Sequence, residues 1–297
     1  MKTIFLNRFP IAALAVLFSV FVFTSCQKEN STAAPADELT AEQAADLTDE
    51  STQADASFGD VEDISLTAAE EDGNAMGGRG YNPTFAELRL RIGVCASITV
   101  SPNDSTYPKT ITIDFGNGCI CADGKFRKGA IIIHLTAPVR RSGSVVTVTF
   151  RDFYLNRAHI EGTKILTNLN AGGNIKYTVQ VVNGAVTFPN GRGWQYDEQK
   201  TVTQIDGGAT PFVRDDVYKV EGRSRTQLNG GATLVLNTET PLVKRVVCPW
   251  FSNGILKINA NSHVLFANYG APNNGDCDNK VLLTWNNGAN QRLISLP

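Results

Sequence analysis

Apolar, β-branched runs follow one another too closely in this chain for helical crossovers to fit between them. Such runs occupy residues 111–114, 130–135, 144–150, 175–182, 233–236, 254–259 and 280–285, several with period-two alternation. That is the pattern of a half-buried antiparallel strand. Asn183-Gly184, Asn229-Gly230, Asn253-Gly254 and Asn287-Gly288 intervene, each suited to the positive φ angles of a tight hairpin turn. A parallel strand pair needs a crossover of a dozen or more residues, so parallel α/β folds are excluded. The fold class predicted is all-β, an antiparallel meander forming a large curved sheet or open barrel. Thr84-Phe85-Ala86-Glu87 has the look of a helix start, whereas the alternation Leu88-Arg89-Leu90-Arg91-Ile92 behind it reads as strand, and both assignments stay open.

Ahead of this β region stands an address. Met1, Lys2 and Arg8 precede an apolar run from Ile11 to Phe23 that stops at Thr24-Ser25-Cys26. The run is too short for a permanent bilayer span, and the residues before Cys26 resemble the lipobox of a bacterial lipoprotein, in which the cysteine is acylated and becomes the new N-terminus. Residues 1–25 are therefore expected to be a signal peptide, with Cys26 carrying palmitate and other acyl chains. Gln27-Lys28-Glu29-Asn30 resembles, in shortened form, the signal that sends such lipoproteins to the outer face of the outer membrane. Asn30 replaces its second acidic residue, so the cell-surface and periplasmic faces both stay open.

Charge divides the remainder. Residues 27–83 hold 14 acidic and two basic residues, a net of −12, and residues 84–297 hold 15 acidic and 23 basic, a net of +8. An acidic stretch rich in Ala, Thr, Ser and Gln predicts a disordered linker over 26–83, with a helical turn or two around residues 40–49, where Thr40 and Gln43 have capping-box spacing. As a flexible coil it would reach on the order of 40 Å from the lipid. The basic part, 84–297, then forms the β domain. Either it faces a polyanion, or linker and domain attract each other. For an exported protein nucleic acid is not an expected partner.

Five cysteines follow Cys26: Cys95, Cys119, Cys121, Cys248 and Cys277. In an oxidising compartment they predict disulfides, and the expected pairs are Cys95 with Cys119 and Cys248 with Cys277, leaving Cys121 spare. Alternate residues of an extended chain are nearly 7 Å apart, which disfavours a Cys119–Cys121 bridge.

Signals for chemistry are sparse. Gly-x-Ser-x-Gly, His-Glu-x-x-His and phosphate-cradling glycine motifs are absent; His134 interrupts an apolar strand and reads as a packed or edge histidine, and His159 and His263 belong to no nucleophile–base motif. No cofactor is expected. Asp152, Asp197, Glu198, Asp215 and Asp216 are carboxylates that a glycosidase could use, so a carbohydrate hydrolase is the least favoured alternative. Arg192, Trp194 and Tyr196 are a candidate glycan contact, because both rings would lie on one strand face, as a sugar platform or as core. Asn274, Asp276 and Asp278 have the alternate spacing of a calcium loop, but the EF-hand glycine and closing Glu are missing, and a hairpin loop pinned by a disulfide is preferred. An echo, His159-Ile160-Glu161-Gly162-Thr163 and Lys219-Val220-Glu221-Gly222-Arg223, reads as paired bulges where a large sheet bends.

Several segments resemble a group of Bacteroidota lipoproteins with a large antiparallel β domain. They are Thr112-Ile113-Asp114-Phe115-Gly116-Asn117-Gly118-Cys119, Asp123-Gly124-Lys125-Phe126-Arg127-Lys128-Gly129, Glu161-Gly162-Thr163-Lys164, and Tyr269-Gly270 leading to Gly275-Asp276-Cys277-Asp278-Asn279. The resemblance implies an outer-membrane location and this architecture, with no activity attached. In that group the counterparts of Cys119 and Cys277 recur and Cys121 looks like an addition. The function expected is a non-catalytic envelope lipoprotein, a binding or scaffold module for glycan, polyanion or another envelope protein.

Overall fold

A computed structural model describes residues 39–75, 80–170, 175–208, 215–271 and 273–296. Cys26 and the signal segment lie outside the described residues. Residues Leu39–Pro297 form one compact unit. Among the described residues two helices, α1 (Ala41–Asn74) and α2 (Ala86–Ile92), precede a run of strands. These are β1 (Ser97–Ser101), β2 (Lys109–Asp114), β3 (Cys119–Ile120), β4 (Phe126–Leu135), β5 (Val145–Leu155), β6 (Ala158–Asn168) and β7 (Lys176–Thr187). They continue as β8 (Gly193–Asp206), β9 (Val217–Leu228), β10 (Thr233–Arg245), β11 (Asn253–Ala260), β12 (His263–Asn268), β13 (Lys280–Trp285) and β14 (Asn290–Ser295).

All described pairings are antiparallel, and the 14 strands make one curved, unclosed sheet in which sequence neighbours are spatial neighbours, with short β3 set aside on β4. The expected meander is thus present, and each of the seven predicted runs lies in or overlaps a strand. Two of the four Asn-Gly pairs make hairpin turns, at 229–230 and 287–288. The other two sit within strands as bulges: the β7–β8 register slips between Val181 and Gly184, and Asn253-Gly254 opens β11 opposite an irregular stretch of β10. A turn dipeptide also satisfies a bulge, because both need a positive φ, here 51° at Asn183 and 103° at Gly254.

The Gly162 and Gly222 echo marks bends, as expected. Gly162 has φ 117°, and a Cβ there would stand 2.7 Å from the Cα of Gly184; at Gly222, φ 155°, it would stand 2.3 Å from the Gln199 carbonyl oxygen. Register shifts occur beside Gly162 in β6–β7 and within β9–β10. Bulges increase local twist and bend the strand that carries them, so these positions help a broad sheet to curl.

The structure corrects the expected linker. Residues 41–74 are not a tether but a helix of 34 residues, on the order of 50 Å long, enclosed by the sheet. Thr40 caps it as its spacing predicts: its side chain accepts the Gln43 N–H while the Gln43 side chain accepts the Thr40 N–H. Its buried stripe runs Ala44, Thr48, Ala54, Phe58, Val61, Ile64, Ala68 and Asp72, at three- and four-residue spacing apart from one longer interval. The stripe is made of small and polar residues as well as large ones, which is why composition alone reads the segment as unable to form a core. The fold boundary at residue 84 is therefore wrong; α1 belongs to the same folded unit as the strands. The segment left open at 84–92 is helical, and Leu88 and Ile92 bury one side of α2.

Candidate functional site: a basic sheet closed on its own acidic helix

Strand alternation that points apolar side chains inward also points four cations there: Lys109 on β2, Arg127 on β4, Lys164 on β6 and Lys200 on β8. The side chains of the first three are at most 1% exposed. Charges in such a place need partners, since their desolvation costs several kcal/mol each. α1, with 11 acidic residues and no basic one, supplies them.

At its start, the Leu39 carbonyl accepts Trp285 Nε1 of β13 at 3.0 Å and Glu42 faces Arg292 of β14. In mid-helix, Asp55 accepts the Tyr196 hydroxyl at 2.5 Å, the Ser224 hydroxyl at 3.0 Å and Lys200 Nζ at 3.2 Å. Asp60 takes two nitrogens of Arg127, whose other edge grips Asp123 at 2.7 Å. Glu62 stands 2.8 Å from Lys164 Nζ, which also faces Glu198 at 3.2 Å and donates to the Phe58 carbonyl. Near the C-terminus, Asp72 accepts Lys109 Nζ at 3.2 Å and the hydroxyls of Tyr107 and Tyr81. A carboxylate there opposes the helix dipole, and these three donors offset it. Glu71 accepts the backbone N–H groups of Glu87 and Leu88, joining α1 to the first turn of α2.

Glu198 is the centre of the densest part. Burial alone would raise its carboxyl, but Lys164 and Lys200 outweigh that and hold it at about 2. Burial favours the neutral amine of Lys164, yet Glu198 and Glu62 hold its pKa above the ordinary lysine value. Burial and the nearby Asp55 push the Tyr196 hydroxyl well up, so it stays a donor. At neutral pH Glu198 is therefore a carboxylate and Lys164 an ammonium.

The other predicted residues fall as follows. Trp194 and Tyr196 do share one face, but it is the inward one: they are 2% and 1% exposed, and the Tyr196 ring stacks on Phe58 of α1 at 4.9 Å. A sugar platform needs an open ring face, so the glycan contact is corrected to core, and exposed Arg192 lies over Phe188 instead. Cys95 with Cys119 and Cys248 with Cys277 stand as disulfide pairs, and Cys121 is free and buried. In the Asn274, Asp276 and Asp278 loop, Asp278 accepts the Lys280 N–H at 2.8 Å, and Asn274 adopts φ 54°. Both serve the turn beside Cys277. His134 is exposed on the outward face, 3.4 Å from Thr110. Of the carboxylates weighed for sugar hydrolysis, Asp152 pairs with Lys128 and Glu198 is the buried partner of two lysines. Asp215 and Asp216 line a cleft of about 620 Å³ together with Asp206 and Arg245; within it Asp216 accepts from Gln204 and Tyr218.

Of the two readings of the charge asymmetry, the intramolecular one is observed: among the described residues, seven α1 carboxylates form ion pairs with cations of residues 84–297. The partners Asp55, Asp60, Glu62 and Asp72 were not legible as such from sequence. The available signals were the helical spacing of Ala54, Phe58, Val61, Ile64 and Ala68, and a lysine on an inward strand position between Ile160 and Leu166. No family model, curated protein or solved structure matches this chain.

Proposed function

We propose that this chain is a non-catalytic lipoprotein of the bacterial cell envelope, held to the outer membrane by acylated Cys26, whose sheet serves as a binding or scaffold module. The observation that carries this reading is the filling of the inward face. α1 takes up the buried cations and apolar surface there, which leaves the outward face for recognition. That face bears a row in cross-strand register that runs His134, Thr147, Ile165, Gln180, Gln199, Arg223, Asn237 and Lys257, polar at every position but Ile165. Each is exposed or half-buried. Such a row of amide, hydroxyl and cationic groups suits an envelope protein or a polar glycan. The basic surplus offers less to a polyanion, because the helix neutralises the inward part of it.

Two measurements test the reading. Labelled palmitate should enter the full chain in the outer-membrane fraction and be lost in Cys26→Ala; unchanged labelling would refute the anchor. A photo-crosslinker placed at Gln180 or Gln199 on intact cells should trap a defined partner that the same reagent at Ser142, in the β4–β5 connection, does not trap. Equal capture at both would remove the binding face. The acidic cleft supports a second reading, a carbohydrate hydrolase using Asp206 and Asp215. Release of sugar from an oligosaccharide panel, abolished in Asp215→Asn, would replace the first reading with it.

A further inference from the structure

Three cysteines of this protein meet at one point. Cys95 follows α2, Cys119 lies in β3, and Cys121 comes directly after that two-residue strand. Their three sulfurs all lie within 4.8 Å of one another. Cys95 and Cys119 are bonded, and Cys121 is the free thiol, 5% exposed. A buried structural thiol ordinarily has apolar neighbours and no disulfide beside it. This one has a disulfide within reach, and the nearby positive charge of Arg127 favours its thiolate even though burial opposes it. Arg127 is itself fixed by Asp60 of α1 and by Asp123.

We propose that Cys95, Cys119 and Cys121 form a single thiol–disulfide exchange site, in which Cys121 takes Cys95 from Cys119. The Cys121 thiol gives up its proton and its sulfur attacks Cys95 Sγ. A Cys95–Cys121 bond forms as the Cys95–Cys119 bond breaks, and its electron pair leaves on Cys119, which takes up the proton. One disulfide and one thiol are present before and after, so no oxidant or reductant is consumed. Cys95 is the target because Cys121 and Cys119 are only two residues apart. Arg127 steadies the developing thiolate, while burial, Asp123 and Asp60 hold the resting thiol above its ordinary pKa and keep the exchange slow.

Exchange moves the free thiol from a buried position to a half-buried one. Cys119 adjoins Ile120, which is 74% exposed, and Cys95 adjoins Val94, which is 98% exposed. Leu90, 71% exposed, stands on the last turns of α2 nearby. The released Cys119 thiol is thus the group that a partner protein's disulfide would capture beside exposed apolar side chains.

The test asks where a thiol reagent lands. Full-length protein in detergent is treated natively with N-ethylmaleimide, quenched in acid, digested without reduction and mapped. Label on Cys119 together with a Cys95–Cys121 bond, in roughly tenfold or greater excess over label on Cys121, is the expected result, because a buried thiol is not itself reachable. Label on Cys121 with Cys95–Cys119 intact, or no label during the lifetime of the folded protein, overturns the proposal. Cys119→Ser provides an independent check. With its Cys248–Cys277 bond intact and a native far-ultraviolet spectrum, it should hold Cys95–Cys121 and no free thiol, whereas two free thiols would also overturn it. Failure here leaves the anchored-module reading untouched, since neither Cys26 nor the outward row takes part.

Discussion

Glu198 shows how one buried carboxylate couples two layers of the structure. It lies on β8 between Lys164 and Lys200, and the same two lysines reach Glu62 and Asp55 on α1. Removing it leaves two cations facing one carboxylate each in a largely buried interface. Glu198→Gln should therefore lower stability by about 3–5 kcal/mol, read from urea unfolding. The sign of the pH effect follows from the depressed value. The folded carboxyl titrates at about 2 against an ordinary 4.5, so its contribution is fully present above about 4.5 and is lost as the pH falls from there towards 2. The urea midpoint of the wild type should fall through that window, and the fall should be shallower in Glu198→Gln. Trp194 carries a different expectation, that of a core residue. Trp194→Ala should cost about 3–5 kcal/mol of stability, with unchanged capture at the outward row in any variant that still folds. Loss of capture with stability intact would return the ring to a binding role.

α1 is the element that decides whether the sheet is viable. Without it Lys109, Arg127 and Lys164 would remain beneath an uncovered apolar surface that includes Ile111, Ile131 and Val148. A fragment of residues 84–297 should therefore aggregate or lack a cooperative unfolding transition, while Leu39–Pro297 should fold. Near-ultraviolet circular dichroism and urea titration of the two fragments distinguish the cases. A cooperative 84–297 would show that α1 is an accessory rather than part of the core. The ion pairs alone are not the driving force, because a buried pair roughly breaks even against its desolvation. Burial of Phe58, Val61 and Ile64 supplies the favourable term, and the pairs set which part of the helix meets which strand.

At the scale of the molecule, a meander joins each strand to the next, and a broad sheet built this way could open locally. Here the helix bridges distant strands: its start is bonded to β13 and β14, its middle to β8 and β9, and its end to β2. Unfolding any one region disturbs a shared element. Thermal unfolding of Leu39–Pro297 followed by tryptophan fluorescence and by far-ultraviolet dichroism should therefore give coincident single transitions. Separate midpoints would show that the two ends of the sheet unfold independently.

Strand positions and antiparallel connectivity were legible in the chain because each depends on local pattern, alternation and turn chemistry; for the cysteines, spacing disfavoured only a Cys119–Cys121 bridge, and the pairing itself needed the tertiary structure. The bends at Gly162 and Gly222 were legible from local pattern as well. What Asn183-Gly184 and Asn253-Gly254 do was not, since a tight turn and a bulge ask for the same backbone angles and only the register separates them. Nor was the side on which Trp194 and Tyr196 lie, because alternation places both rings on one face without saying which face is covered. The acidic stretch was the largest difference. With Phe58, Val61 and Ile64 set among Ala, Thr, Ser and Asp, the stripe buries too little apolar surface to order itself in isolation, so by local rules it is a linker. By itself the sequence determined a long antiparallel meander carrying complementary net charges on its two parts. That the acidic part becomes a helix inside the basic sheet was decided by tertiary structure alone, because inward cations from β2, β4, β6 and β8 come together only once the sheet has curved.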